Sequence, residues 1–425
     1  MNNMLKILTY LSAIIGALLF LRPKDTAINT LLWFPKMISG AMSPILGFTG
    51  FMGALLGFIR RDWKLAAAGL LGTGLAARFI AEIPASGEQF SRAFGPDWLT
   101  RLKPDLQGSA VMGRPLISQK EIEIQHDLVI GSKPKSGKPF LVDLWQPGPG
   151  ARRSGLGIIY AHGSGWRVGD KDMLTRPFFR RLVGDGHVVV DIAYTLFPEA
   201  EIPIMVTEVN QAILWLKENT ATLGLNPDRI VLMGGSAGAH LALLAAYNPN
   251  RPDFQPDSIT GDTSVRGVVA FYPVVDIHGM YSQIRQEVPV NPRPIDKLAN
   301  AFIDRIFEVP KRPPTDGNGS GLDNYLVDIL GGKPDEIPEV YKLCSPIDHI
   351  SQACPPTLLI QGSDDVFGLT PHVRRFHQAL LAAGVPVVYL EYPHTEHGFD
   401  LILPQVSPVA QTATLEVERF LALLE

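Results

Sequence analysis

From residue 156 onward, short apolar runs alternate with longer stretches whose apolar positions recur every three to four residues. The runs at 156–161, 188–192, 230–233, 268–272, 357–360 and 387–390 have strand length and almost no polar interruption, the pattern of strands buried on both faces. Between 188–192 and 230–233, Met205, Val206, Val209, Ala212, Ile213 and Leu216 fall on one face of a helix. Further helices are expected over 372–383 and 412–424. This alternation predicts an α/β architecture with a mostly parallel central sheet flanked by helices. Upstream, 121–130 and 140–145 alternate apolar and polar residues between Pro and Gly, which predicts an antiparallel edge. Segment 277–348 interrupts the rhythm with Pro- and Gly-rich stretches around a helix near 295–307, and reads as a cap-like insertion over the sheet.

The first 83 residues follow another pattern. Runs 7–21 and 37–59 carry no charge, and 65–81 carries only Arg78. The second is long enough to cross a hydrocarbon core of ~30 Å. Gly53, Gly57, Gly69, Gly72 and Gly74 would let such helices approach closely. Residues 1–83 are therefore expected to form a membrane region with two to three transmembrane helices, followed by a linker or cap segment at 84–120 and a catalytic domain at 121–425. Lys6, Arg60, Arg61 and Lys64 outnumber Arg22, Lys24 and Lys36. The positive-inside rule then places the catalytic domain outside the cytoplasm in a multi-pass protein.

Composition narrows the partners. With 38 basic and 42 acidic residues and no long basic block, nucleic acid is not an expected partner. Two cysteines, Cys344 and Cys354, rule out a disulfide scaffold and lack zinc-site spacing. They read as unpaired buried thiols, with one bridge left open. Mean hydropathy is +0.12, raised by the N-terminal runs. Asn318-Gly-Ser320 fits a glycosylation acceptor.

The chemistry centres on Gly234-Gly235-Ser236-Ala237-Gly238, a G-x-S-x-G pattern between a strand-like run and a helix-like one. Glycines there permit a sharp turn that holds Ser236 out as a nucleophile. A serine hydroxyl needs a base, and the base an orienting carboxylate. Past 357–360 lie Asp364 and Asp365, and past 387–390 lie His394 and His397. Asp365 is preferred because the loop has turned away from its strand there, and His397 because it stands farther out and precedes Gly398. After 156–161 comes His162-Gly163-Ser164-Gly165-Trp166. Its small residues suit an oxyanion hole built from backbone N–H groups of Gly163, Ser164 and Gly165 together with Ala237. His162 is expected to brace this loop and His240 to be structural.

From about residue 140 to its end the chain resembles the α/β-hydrolase superfamily, specifically the hormone-sensitive-lipase-like and carboxylesterase group. The resemblance rests on the His162–Trp166 stretch with Gly169-Asp170-Lys171, on Tyr194–Leu196 with Pro198-Glu199, on the elbow, and on Asp365 and His397-Gly398-Phe399. Ser164 departs from the group's usual glycine. The resemblance implies an α/β-hydrolase fold and hydrolysis of a small-molecule or lipid-like ester through an acyl-enzyme, without cofactor or metal. The elbow wording also resembles formamidase-type and prenylcysteine-methylesterase-type relatives, which leaves an amide or peptide hydrolase open. A membrane-tethered binding protein that kept the fold without catalysis is the non-enzyme alternative.

Overall fold

The computed structural model describes residues 2–108, 121–256, 259–287, 291–308 and 321–425. Its centre is one eight-stranded sheet: β1 (Ile122–Ser132), β2 (Pro139–Pro147), β3 (Gly157–Ala161), β4 (Val188–Ile192), β5 (Ile230–Gly235), β6 (Gly267–Phe271), β7 (Thr357–Gly362) and β8 (Val387–Tyr392). The spatial order is β1-β2-β4-β3-β5-β6-β7-β8. β2 is antiparallel to β1 and to β4, and the other neighbours are parallel. The expected antiparallel edge is thus β1–β2.

The pleat sorts each strand between two cores. Ile159 and Ala161 of β3 and Ile230 and Leu232 of β5 join the core beneath helices Ile202–Glu218, Ala237–Tyr247 and Thr370–Ala382. Ile158, Tyr160, Val231 and Met233 face the opposite core, under helices Arg176–Gly184 and Pro408–Leu424. Burial on both faces is why these strands read as continuous apolar runs.

The N-terminal region contains α1 (Asn2–Leu18), α2 (Thr26–Ala41), α3 (Ser43–Arg60) and α4 (Trp63–Ala81). The uncharged run 37–59 is not one helix. It straddles a break at Met42, after which Pro44 sits in the first turn of α3, where a missing N–H does no harm. α1, α3 and α4 pack together through small residues. A β-carbon on Gly57 would stand 2.4 Å from the Ala66 nitrogen, and one on Gly69 2.4 Å from the Ala54 nitrogen. Gly74, expected to share this role, has nothing within 4 Å of such an atom. α2 behaves differently: its buried residues include Trp33, Lys36 and Met37, which lie against the loops that follow β7 and β8.

Residues 84–108 pack on the flank of the sheet. Phe90 stacks on Trp98, Phe94 meets Phe420 edge-on, and Arg419 donates to the Leu106 and Gly108 carbonyls. Among the described residues, this segment lines neither cavity at Ser236. Helices Ile277–Glu287, Pro294–Ile306 and Gly321–Leu330, within the expected insertion, do contribute walls there. Cys344 and Cys354 are buried free thiols. The Asn318 pattern lies outside the described residues.

Candidate active site

β5 ends at Gly235 and helix Ala237–Tyr247 begins two residues later, so the chain reverses at Ser236. Ser236 takes φ 53° and ψ −119°, a conformation that costs a non-glycine residue roughly 1–3 kcal/mol. Neighbouring backbone holds it there. Its N–H donates to the Phe271 carbonyl at 2.9 Å, and its own carbonyl accepts the His240 N–H at 3.0 Å. The turn is so close to β3 that a β-carbon on Gly238 would stand 1.9 Å from the Ala161 oxygen. Ala237 is the first helical residue, where N–H groups have no intrahelical acceptor and the helix presents its positive end.

Asp365 lies past β7 and His397 past β8, and the structure brings them together: His397 Nδ1 donates to Asp365 Oδ2 at 2.9 Å. That carboxylate also accepts from Gln361 Nε2 at 2.8 Å and from the Phe367 N–H at 2.9 Å. With Nδ1 committed to Asp365, Nε2 is the ring nitrogen left to act as base. Tyr272 and Phe367 hold the imidazole, with ring centroids 4.4 and 4.7 Å away. Asp364 turns elsewhere, to Lys36 at 2.9 Å and Arg22 at 3.1 Å. His394 pairs with Glu82 at 2.7 Å. Neither of these alternatives meets Ser236 or its partners.

Gly163 and Ser164 share a cavity of about 330 Å³ with Ser236 and His397. Gly165 borders a second, of about 40 Å³, which Ser236 also lines. The Gly163 backbone passes so near the elbow that a β-carbon there would lie 3.0 Å from the Gly235 oxygen. Ser164, Gly165 and Trp166 all have positive φ (82°, 61° and 62°), which curls the loop tightly. Ser164 turns its hydroxyl to Met173 Sδ at 3.0 Å. His162 braces the loop as expected: its Nδ1 donates to the Gly163 carbonyl at 2.9 Å and its ring stacks on Tyr194 at 4.5 Å. Burial lowers its pKa to about 4, so it is neutral. His240, also lowered to about 4 by burial, donates to the Cys344 carbonyl at 2.7 Å and is structural. Among the described residues, no group of three His, Cys, Asp or Glu is arranged to hold a metal ion.

Two family models match consecutive parts of the catalytic domain: BD-FAE over residues 142–308 and the prolyl oligopeptidase family over 309–407. Esterase LipQ of Mycobacterium tuberculosis is 29% identical over 62% of this chain and 55% of its own length. LipM of the same organism, named a probable carboxylic ester hydrolase, is 30% identical over 67% of this chain and 58% of its own. The chain belongs to the α/β-hydrolase esterase/lipase family. It spans little more than half of each of those relatives. Solved α/β-hydrolase neighbours show the same fold. Esterase B from Lactobacillus rhamnosis superposes with a TM-score of 0.52 at 19% identity, covering 72% of this chain and 87% of that one. A propionate-bound thermophilic esterase from Thermogutta terrifontis gives 0.51 at 21% identity, covering 71% and 93%.

Outside the residues matched by either α/β-hydrolase family model lies α2, which nonetheless supplies Trp33, Phe34 and Met37 to the larger cavity. Trp33 Nε1 donates to the His397 carbonyl at 2.8 Å. The linker or cap segment expected at 84–120 lines neither cavity among its described residues, and Lys36, counted above only for the positive-inside rule, lies inside α2. A lone lysine directly after Trp33-Phe34-Pro35 was the available signal: a charge inside an apolar helix demands a buried partner.

Proposed function

We propose that this protein is a serine hydrolase of carboxylic esters, working through Ser236, His397 and Asp365. The observation that carries this reading is Ser236 on a strained elbow sharing one cavity with His397, whose other ring nitrogen is fixed by Asp365. In this mechanism Ser236 Oγ attacks the ester carbonyl while His397 Nε2 takes its proton. The imidazolium is stabilised by Asp365, and the oxyanion by N–H groups of Ala237 and the Gly163–Gly165 turn, each worth about 3–4 kcal/mol. His397 returns the proton to the leaving alcohol. Water then repeats the sequence on the acyl-enzyme, releasing the acid and restoring Ser236.

The two cavities meeting at Ser236 support an assignment of substrate parts. A base that protonates the leaving oxygen must stand on the alcohol side, and His397 lines the larger cavity but not the smaller. The alcohol then fills the larger space and the acyl chain the smaller, walled by Trp166, Val274, Tyr325, Leu326 and Leu369. That space holds about three water-sized groups. On p-nitrophenyl esters, kcat/KM is expected to fall at least about tenfold from butyrate to octanoate, since each misfitting methylene costs about 1–3 kcal/mol. A profile rising towards octanoate would reverse the assignment. A matched p-nitroanilide turned over faster than its ester would instead favour the amide hydrolase.

The reading extends to a membrane anchor. α3 and α4 hold 18 and 19 residues, are apolar, and are long enough to cross a bilayer by length and composition. Phe48, Phe51, Leu55, Phe58 and Leu70 on them point outward. Lys6 contacts Asp62 at 2.8 Å, which gathers Lys6, Arg60, Arg61 and Lys64 at one end of the bundle. The catalytic domain joins the other end, through Glu82 and His394. A cytoplasmic basic end then puts the catalytic domain outside the cytoplasm. The full chain is expected to remain in the membrane pellet after alkaline carbonate washing, with the catalytic domain open to protease in spheroplasts. Release by carbonate would refute the anchor, and protection from protease would refute the sidedness.

A further inference from the structure

We propose that α2 is a positioning element for the base and its acid, with Lys36 and Trp33 as the positioning residues. The inference rests on the Ser236–His397–Asp365 reading. Lys36 Nζ lies 2.9 Å from Asp364 Oδ2 and 2.8 Å from Glu396 Oε1. All three side chains are almost wholly buried. Asp364 immediately precedes Asp365, and Glu396 immediately precedes His397. The acid and base loops leave separate strands, β7 and β8, and Lys36 bridges the residue just before each functional side chain. One turn earlier on the same helix face, Trp33 donates to the carbonyl of His397 itself at 2.8 Å. Two contacts on one helix face thus set where His397 stands relative to Asp365.

The chemistry of the cluster argues against a purely stabilising purpose. Burying a lysine with two carboxylates carries a desolvation penalty that apolar residues of similar volume would avoid. Glu396 reflects this, its pKa pushed up to about 7 by burial although Lys36 pulls the other way, with Asp365 and Asp364 adding repulsion. What an ion pair supplies and a methionine does not is a fixed direction for both loops. A misplacement of about 1 Å between reacting groups can cost on the order of 10²-fold in rate.

The test uses the full chain in detergent with p-nitrophenyl acetate. Lys36→Met is expected to lower kcat about 10- to 100-fold while KM changes less than about threefold, a split that a loosened substrate pocket would not give. Because that variant leaves the buried Glu396 carboxylate without Lys36 and Asp364 with only Arg22, a K36M/D364N/E396Q chain, in which none of the three side chains carries a charge, is measured beside it. Its melting temperature is expected to recover towards that of the wild type while kcat stays at least about tenfold low. Trp33→Phe keeps a ring in the cavity but deletes the donor, and is expected to lower kcat about three- to tenfold at nearly constant KM. Recovery of kcat together with melting temperature in the triple variant overturns the proposal, as does an unchanged kcat in Trp33→Phe. Should the triple variant not fold, Trp33→Phe decides. A Ser236→Ala chain of wild-type activity would mark failure of the underlying mechanism, whereas a dead Ser236→Ala with unaffected α2 variants marks failure of this inference alone.

Discussion

Ser236→Ala is expected to lower kcat on short p-nitrophenyl esters by on the order of 10⁶ while leaving the protein folded. The substitution removes the oxygen proposed to attack and little else. Ser236 is only half-buried, and its N–H to Phe271 and its carbonyl to His240 are backbone contacts that alanine keeps. The positive φ is equally strained for either residue, so stability should change by less than about 1 kcal/mol. In the proposed mechanism the oxyanion hole and binding survive, which alone give about 10³–10⁴ over water. A fluorophosphonate should label the wild type stoichiometrically and fail on the variant. Wild-type turnover by Ser236→Ala would remove Ser236 from the mechanism, however well the elbow is formed.

How much of this was legible in the sequence depended on how local each signal is. The β5 strand and its elbow were readable because both faces of 230–235 are buried and because Gly234 and Gly238 mark a backbone too close for side chains. Preferring Asp365 to Asp364 rested on the turn of the loop and on the family resemblance, and the structure sets Asp365 against His397. The second half of the site was not local. Lys36 and Glu396 stand at opposite ends of the chain, and no periodicity connects them. The break between α2 and α3 was hidden for another reason. Hydropathy is blind to a turn at Met42 flanked by apolar residues, so 37–59 read as one span, and only Pro44 punctuated it. That misreading made the N-terminal region look like an anchor alone, whereas α2 roofs the larger cavity.

Asp365→Asn is expected to lower kcat at neutral pH by about 10⁴ with a small change in KM. The reason lies in what the carboxylate contacts. Its three partners, His397 Nδ1, Gln361 Nε2 and the Phe367 N–H, are all donors. An asparagine offers one acceptor oxygen and an NH₂ group that must face someone. The Phe367 N–H cannot change its role, so it keeps the oxygen, and the amide nitrogen is left towards His397 and Gln361. Gln361 Nε2 has other acceptors within reach, the Gly362 carbonyl and Thr370 Oγ1. His397 has one remedy, which is to move its proton from Nδ1 to Nε2 and accept at Nδ1. In that tautomer the nitrogen meant to take the Ser236 proton already carries one, and the negative charge that stabilised the imidazolium is gone. Asp364→Asn makes the contrast, because Asp364 faces Lys36 and Arg22 rather than the imidazole. It should cost less than about 10² and leave the tautomer unchanged, which the ¹⁵N chemical shifts of His397 would report. A loss under tenfold in Asp365→Asn, with a larger one in Asp364→Asn, would transfer the orienting role to Asp364 and break the hydrogen-bond logic on which the triad rests.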